Sequence, residues 1–397
     1  MFALSDYHYQ LSDDRIAQHP ITPAHNSKLL SCHINTDKIM TISDKNCFDL
    51  PDILDKWTLL IANNSQVFAS RIPLYNTKVV LKDGNSTILE RWEIFIVRVI
   101  FKEDGSIDTS QCIIRGSDKK HFRPWCTIFF DQKTYGISKE FVDDGIVLEL
   151  YNTDLIKLCK NYGDIPLPPY ITQASLQDKE KYKTSFWQKT GSVATPTAWL
   201  HFTESLRNNL KQHHIQREEI TLHVGIGTFA PVVSWDIRNH NLHAETITID
   251  RNIFETVYQQ KNISTKIITI WTTSTRTIES LPYLFKILDT NEINKHCSQA
   301  CSDRRQRQNN SQKNNNFLLL ISVNSTTITF SSSLFIYPWF EKKIIDGLIT
   351  NFHLPQTSLV MLVSGLIGYD NRKKSYEYAL KHHYRFASFG DAMFIQF

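Results

Sequence analysis

The stretch Leu222-His-Val-Gly-Ile-Gly-Thr-Phe229 joins a strand-like start to two glycines and a histidine, residue types that let backbone amides turn toward a bound anion. Leu222 and Val224 read as the buried side of the strand. Gly225 and Gly227 supply conformational freedom, so Gly225, Gly227 and Thr228 are candidate substrate contacts; the competing reading is an ordinary tight turn. Three further runs are also polar and punctuated by glycine or proline: Gly191-Ser-Val-Ala-Thr-Pro-Thr-Ala-Trp-Leu-His-Phe202, Trp271-Thr-Thr-Ser-Thr-Arg-Thr-Ile-Glu279 and Asp346-Gly-Leu-Ile-Thr-Asn-Phe-His-Leu-Pro355.

Together with Pro166-Leu-Pro-Pro-Tyr-Ile171 and Phe389-Gly-Asp-Ala-Met393, these runs resemble the S-adenosylmethionine:tRNA ribosyltransferase-isomerases of queuosine biosynthesis. The resemblance begins near Tyr9, where Leu11, Ile16-Ala17-Gln18 and Pro20 fit the family's opening, and runs to Met393. Residues 289–329 fall outside it and read as an insertion. The resemblance implies transfer of the ribosyl part of S-adenosylmethionine to 7-aminomethyl-7-deazaguanine at the tRNA wobble position, forming epoxyqueuosine and releasing adenine and methionine. S-adenosylmethionine is then a consumed substrate, tRNA the partner, and no separate cofactor or metal is expected.

Such a reaction needs a base beside the sulfonium, a hydrogen-bonding group for departing adenine, and a grip on the methionine end. His201, His223 and His353 lie in matched runs and are the candidate catalytic groups. His240-x-x-His243-x-Glu245 is a fourth polar run, which adds His243 and Glu245 as substrate contacts. Arg276 offers bidentate geometry for a carboxylate; its competing role is a salt bridge to Glu279 one helical turn away. Thr272, Thr273, Asp346 and Asn351 complete the expected substrate wall, while Asp391 reads better as a cap.

The chain departs from the family pattern where Trp57, Trp199, Trp271 and Trp339 replace glycine, and where Gln66, His25 and Lys28 replace arginine. An indole at a glycine position must move its surroundings or occupy ligand space. The alternative function is therefore a catalytically impaired RNA-binding or structural homologue. A methyltransferase is disfavoured by the missing Gly-x-Gly-x-x-Gly, and a serine hydrolase by the missing Gly-x-Ser-x-Gly.

The elements that must position these residues divide into two patterns. From Ile72 to Tyr151 short strands alternate with hairpin signals at Asp83-Gly84 and Asp104-Gly105, which predicts a small all-β barrel domain. It is inserted in an α/β main domain, a mixed or barrel-like sheet with helices packed on it, made by residues 1–71 and 152–397. Thr203 and Asp250 are helix caps, Glu219–Val224 and Lys266–Ile270 strands, and Asn371–Phe386 an amphipathic helix.

With 397 residues, 41% hydrophobic and 21% charged, the composition is that of a soluble globular chain. The run from Ser358 to Gly368 is too short to span a membrane, and no secretory signal is visible. Seven scattered cysteines suit a reducing cytoplasm. The charge of +4 permits a polyanion partner; Lys179–Lys183 and Arg372-Lys373-Lys374 read as solvated helix surface. A monomer is expected. The polar segment 291–316, with Arg304-Arg305-Gln306-Arg307, reads as a surface loop, and His296, Cys297 and Cys301 fall short of a zinc pattern.

Overall fold

The computed structural model describes every residue except 1, 103–105, 118–121, 143–144, 184–188, 193–196, 226–231, 261–264 and 290–316. Its largest element is a ten-stranded mixed sheet. In spatial order the strands are Leu318–Val323, Thr327–Ser332, Glu245–Asp250, Gln216–His223, Leu59–Asn63, Ile267–Ile270, Gly347–Asn351, Ala392–Gln396, Lys28–Ile34 and Met40–Asn46. The four from Gln216–His223 to Gly347–Asn351 run parallel. Three of these, Leu59–Asn63, Ile267–Ile270 and Gly347–Asn351, are buried at every residue, as a parallel sheet covered on both faces requires.

Six further strands pair antiparallel and close on themselves as a barrel, in the order Gly145–Tyr151, Ile107–Gly116, Ser86–Phe101, Arg71–Val80, Thr127–Phe129 and Tyr135–Val142. Gly84, at φ 84°, turns the first hairpin, as the Asp-Gly signal predicted. The Asp104-Gly105 signal lies outside the described residues. Tyr135–Val142 is a strand that the sequence pattern did not reveal.

Thr203 caps the helix Glu204–Gln212 through its hydroxyl, with Leu206 and Leu210 buried. Ser358–Ile367 is a core helix, and no helix among the described residues is long and apolar enough to cross a membrane. Tyr369–Lys381 is helical, but the expected extension to Phe386 fails: His383 takes φ 58°, and the chain turns there to bury Tyr384 and Phe386. Within the interval expected as an insertion, Leu318–Val323 and the start of Thr327–Ser332 form a hairpin at the sheet edge. Residues 290–316, with their arginine cluster, His296, Cys297 and Cys301, lie outside the described residues.

Candidate active site

Parallel strands bring their carboxyl ends to one edge of a sheet, and this is where an α/β protein gathers a ligand. Here that edge carries Asn63, His223, Trp271 and Asn351, each at or just past its strand. Beyond Ile270 the chain turns into the helix Thr272–Asp289, whose N-terminus faces the same edge. Asn63 joins two of the polar runs. Its side-chain amide donates to the Leu222 carbonyl at 3.0 Å and to the Thr273 hydroxyl at 3.4 Å, and its oxygen accepts the Leu222 N–H at 3.0 Å. Ser192 adds a third run: its hydroxyl accepts from the Val224 N–H at 2.9 Å and contacts Ser65 at 2.7 Å.

A cavity of about 130 Å³ opens beside this edge. It is bounded by Tyr170, Thr197, Trp271, Asn351, His353 and Ser388, so four of the runs read from the sequence meet there. The Thr197 hydroxyl donates to Asn351 Oδ1 at 2.9 Å, and the Asn351 amide donates to His201 Nε2 at 3.4 Å. His201 Nδ1 then carries the proton, 3.4 Å from the Ala24 carbonyl. Both ring nitrogens of His201 are thereby engaged, which makes it a positioning group for Asn351.

His353 differs. Its Nε2 meets the Thr350 hydroxyl at 2.9 Å, while its backbone is fixed by the hydroxyls of Tyr9 and Tyr376. Nδ1 has no partner among the described residues, so one nitrogen of a cavity-lining imidazole is left for chemistry. Burial pushes His353 down to about 3 and His201 down to about 4, so both imidazoles are neutral at pH 7. A neutral imidazole can accept a proton; it cannot act as a standing cation. Thr272 Oγ1 and Ser274 Oγ are buried at the helix N-terminus without a hydrogen-bond partner among the described residues, a cost that a bound polar group would offset.

Other expected residues stand elsewhere. Arg276 is buried and held by Glu245, 3.0 Å from Nη1, and by the Leu334 carbonyl, 3.2 Å from Nε. Its expected partner Glu279 instead accepts the backbone N–H groups of Lys343, Ile344 and Ile345. Arg276 and Glu245 thus form a buried ion pair with each other in this arrangement. Asp346 clips the opposite end of its strand, accepting the Ile267 N–H at 2.9 Å. At strand rise that lies roughly 16 Å from Asn351. His243 is exposed, and His223 is half-buried against the Phe101 ring. Gly225 is described and Gly227 and Thr228 are not.

The replaced arginines have found structural work: His25 bonds the Thr203 hydroxyl and Lys28 reaches the His382 carbonyl. Arg372 is no solvated cation, being buried against Ser364 and the Asp6 carbonyl. Asp391, expected as a cap, accepts the N–H groups of Lys28 and Arg385. Sequence reading missed Asn63, three residues before Gln66. It also missed Tyr9 and Tyr376, whose hydroxyls act over sequence distances that no local pattern spans.

A mixed α/β sheet with a cavity at the carboxyl edge of its parallel strands is the arrangement in which the α/β class gathers a small ligand. The model of the queuosine biosynthesis protein family matches residues 4–395, and the chain belongs to that family. The S-adenosylmethionine:tRNA ribosyltransferase-isomerase of Desulfitobacterium hafniense is 32% identical over 400 residues, covering 99% of both chains. That of Halothermothrix orenii is 33% identical over 396 residues with the same coverage. The crystal structure of S-adenosylmethionine tRNA ribosyltransferase from Thermotoga maritima aligns with 98% of this chain and all of its own, at 21% identity and a TM-score of 0.49.

Proposed function

We propose that this chain is an S-adenosylmethionine:tRNA ribosyltransferase-isomerase, moving the ribosyl part of S-adenosylmethionine onto 7-aminomethyl-7-deazaguanine in tRNA with release of adenine and methionine. The observation that carries this reading is the end-to-end similarity to two relatives of that name, each above 30% identity. The cavity beside His353 supports it, since that imidazole lines the cavity with Nδ1 unpartnered among the described residues, the type of group that can take the proton leaving the carbon next to the sulfonium. Asn351, oriented by Thr197 and His201, offers an amide to the leaving base or the ribose. S-adenosylmethionine is consumed and no other cofactor takes part. The enzyme works as a cytoplasmic monomer, its closed six-stranded ring forming a domain inserted in the α/β body. The RNA-binding alternative without turnover is not favoured.

The test is adenine release from S-adenosylmethionine, measured with tRNA carrying the modified base and with tRNA lacking it. Release that depends on the modified base is expected. Binding of tRNA with no adenine release would move the chain to the non-catalytic alternative.

A further inference from the structure

Four of the eight tryptophans hold a backbone conformation that belongs to glycine. Trp57, Trp125, Trp271 and Trp339 have φ of 68°, 70°, 76° and 81°. Among the described residues only two glycines, Gly84 and Gly368, have positive φ, so tryptophan outnumbers glycine there two to one. That inverts steric expectation, because a bulky side chain in the left-handed region is strained and glycine is not.

The local chemistry agrees. Asp55 and Thr58 close a turn by a 3.1 Å hydrogen bond with Trp57 at its third position; Tyr337 and Phe340 do the same at 3.0 Å around Trp339. Proline precedes both Trp339 and Trp125, and a turn with proline second and positive φ third is the one that calls for glycine. The side chains of Trp57, Trp125 and Trp339 are 57%, 51% and 76% exposed, so little burial offsets the strain. Glycine is also scarce, 13 in 397 residues, about half of the usual ~7%.

We propose that positions 57, 125, 271 and 339 carry glycine in the working protein, because the cell that makes this chain decodes as glycine a codon rendered here as tryptophan. The codon is UGA, one base from the tryptophan codon UGG and one base from the glycine codon GGA, so a single altered anticodon suffices for either reading. Trp199 is outside this set: it lies in a helical turn, stacked on Phe202 at 4.5 Å. At position 271 the change reaches the site. The Trp271 indole is buried against the 130 Å³ cavity of Asn351 and His353, and glycine there opens the ligand space by the volume of that indole. This last consequence rests on the ribosyltransferase reading.

Peptides from the protein isolated from the organism that carries this gene, sequenced by mass spectrometry across the four positions, give the direct answer. Glycine is expected at each, and tryptophan would overturn the proposal. In recombinant protein, Trp57→Gly, Trp125→Gly and Trp339→Gly are each expected to raise the unfolding midpoint, and lowered midpoints at all three would also overturn it. Trp271→Gly in that background is expected to turn absent or weak S-adenosylmethionine binding into saturable binding. If peptides carry glycine and midpoints rise, but neither S-adenosylmethionine binding nor adenine release follows, the codon reading stands and the ribosyltransferase reading falls.

Discussion

His201 and His353 are held neutral by burial, and that has a consequence for stability that the sign of the shift fixes. Each has a folded pKa far below the unfolded value of 6.5, so below pH 6.5 the unfolded chain binds protons that the folded chain refuses. Stability is therefore full above pH 6.5 and is lost as pH falls toward about 4 for His201 and about 3 for His353. The slope is up to about 1.4 kcal/mol per pH unit for each group. Urea midpoints at pH 7, 6 and 5 should fall accordingly, and His201→Gln should flatten the curve; an unchanged slope would mean that His201 is solvated. The Arg276–Glu245 pair gives a second expectation. Arg276→Ala leaves a buried carboxylate unpaired, costing about 3–5 kcal/mol. Adding Glu245→Gln should recover a large part of that loss, so the double-mutant cycle is far from additive. Additive costs would show that the two side chains do not stabilise one another.

The helix Thr272–Asp289 shows where local pattern was insufficient. Its first nine residues are Thr, Thr, Ser, Thr, Arg, Thr, Ile, Glu and Ser, a run poor in helix formers, and Pro282 lies inside it. Read alone it resembled a polar ligand wall; in the fold Thr272 to Ser280 are all buried, and tertiary packing overrides propensity. The strands expected at Glu219–Val224 and Lys266–Ile270 are found as Gln216–His223 and Ile267–Ile270, legible because their apolar residues sit between helical segments, while the polar start Gln216–Glu218 gave no such signal. Tyr135–Val142 was not legible, since Lys139 and Glu140 interrupt its apolar alternation. The site was legible as a set of runs, four of which meet at one cavity; the partners that Arg276, Asp346 and Glu245 take were not, because they are fixed only by the sheet order. Glu279 carries this element's prediction. Its carboxylate accepts three backbone N–H groups from residues 343–345, binding the helix to the segment that enters the strand Gly347–Asn351. Glu279→Ala strands those donors and should cost about 3 kcal/mol or more. Glu279→Gln keeps one acceptor oxygen and should fall between. An alanine variant as stable as the parent would show that water replaces the carboxylate.

At the scale of the molecule, the closed ring was legible in the run of strands and hairpin signals from Ile72 to Tyr151, but the reach of its apolar cluster was not. The apolar cluster of the ring includes Phe68 before the expected start, and Leu155, Leu158 and Cys159 after the expected end. These last three come from the helix Leu155–Tyr162, capped by the Asp154 side chain, whose apolar face lies on the ring. A boundary drawn where the strands end, at 72 and 151, cuts that face away and exposes the ring interior. The apolar cluster instead reaches from Phe68 to Cys159, and the chain closes at its neck through mutual backbone bonds between Arg71 and Asp164. A fragment of residues 66–166, which keeps this neck, should unfold in one cooperative transition. The shorter 72–151 fragment loses two fully or nearly buried leucines, each worth about 1.5–3 kcal/mol of burial, and should be unfolded or show a much lower midpoint. Circular dichroism through a urea titration of both fragments decides this. Equal midpoints would place the helix with the α/β body, and loss of structure in both would mean that the ring depends on the large sheet to fold.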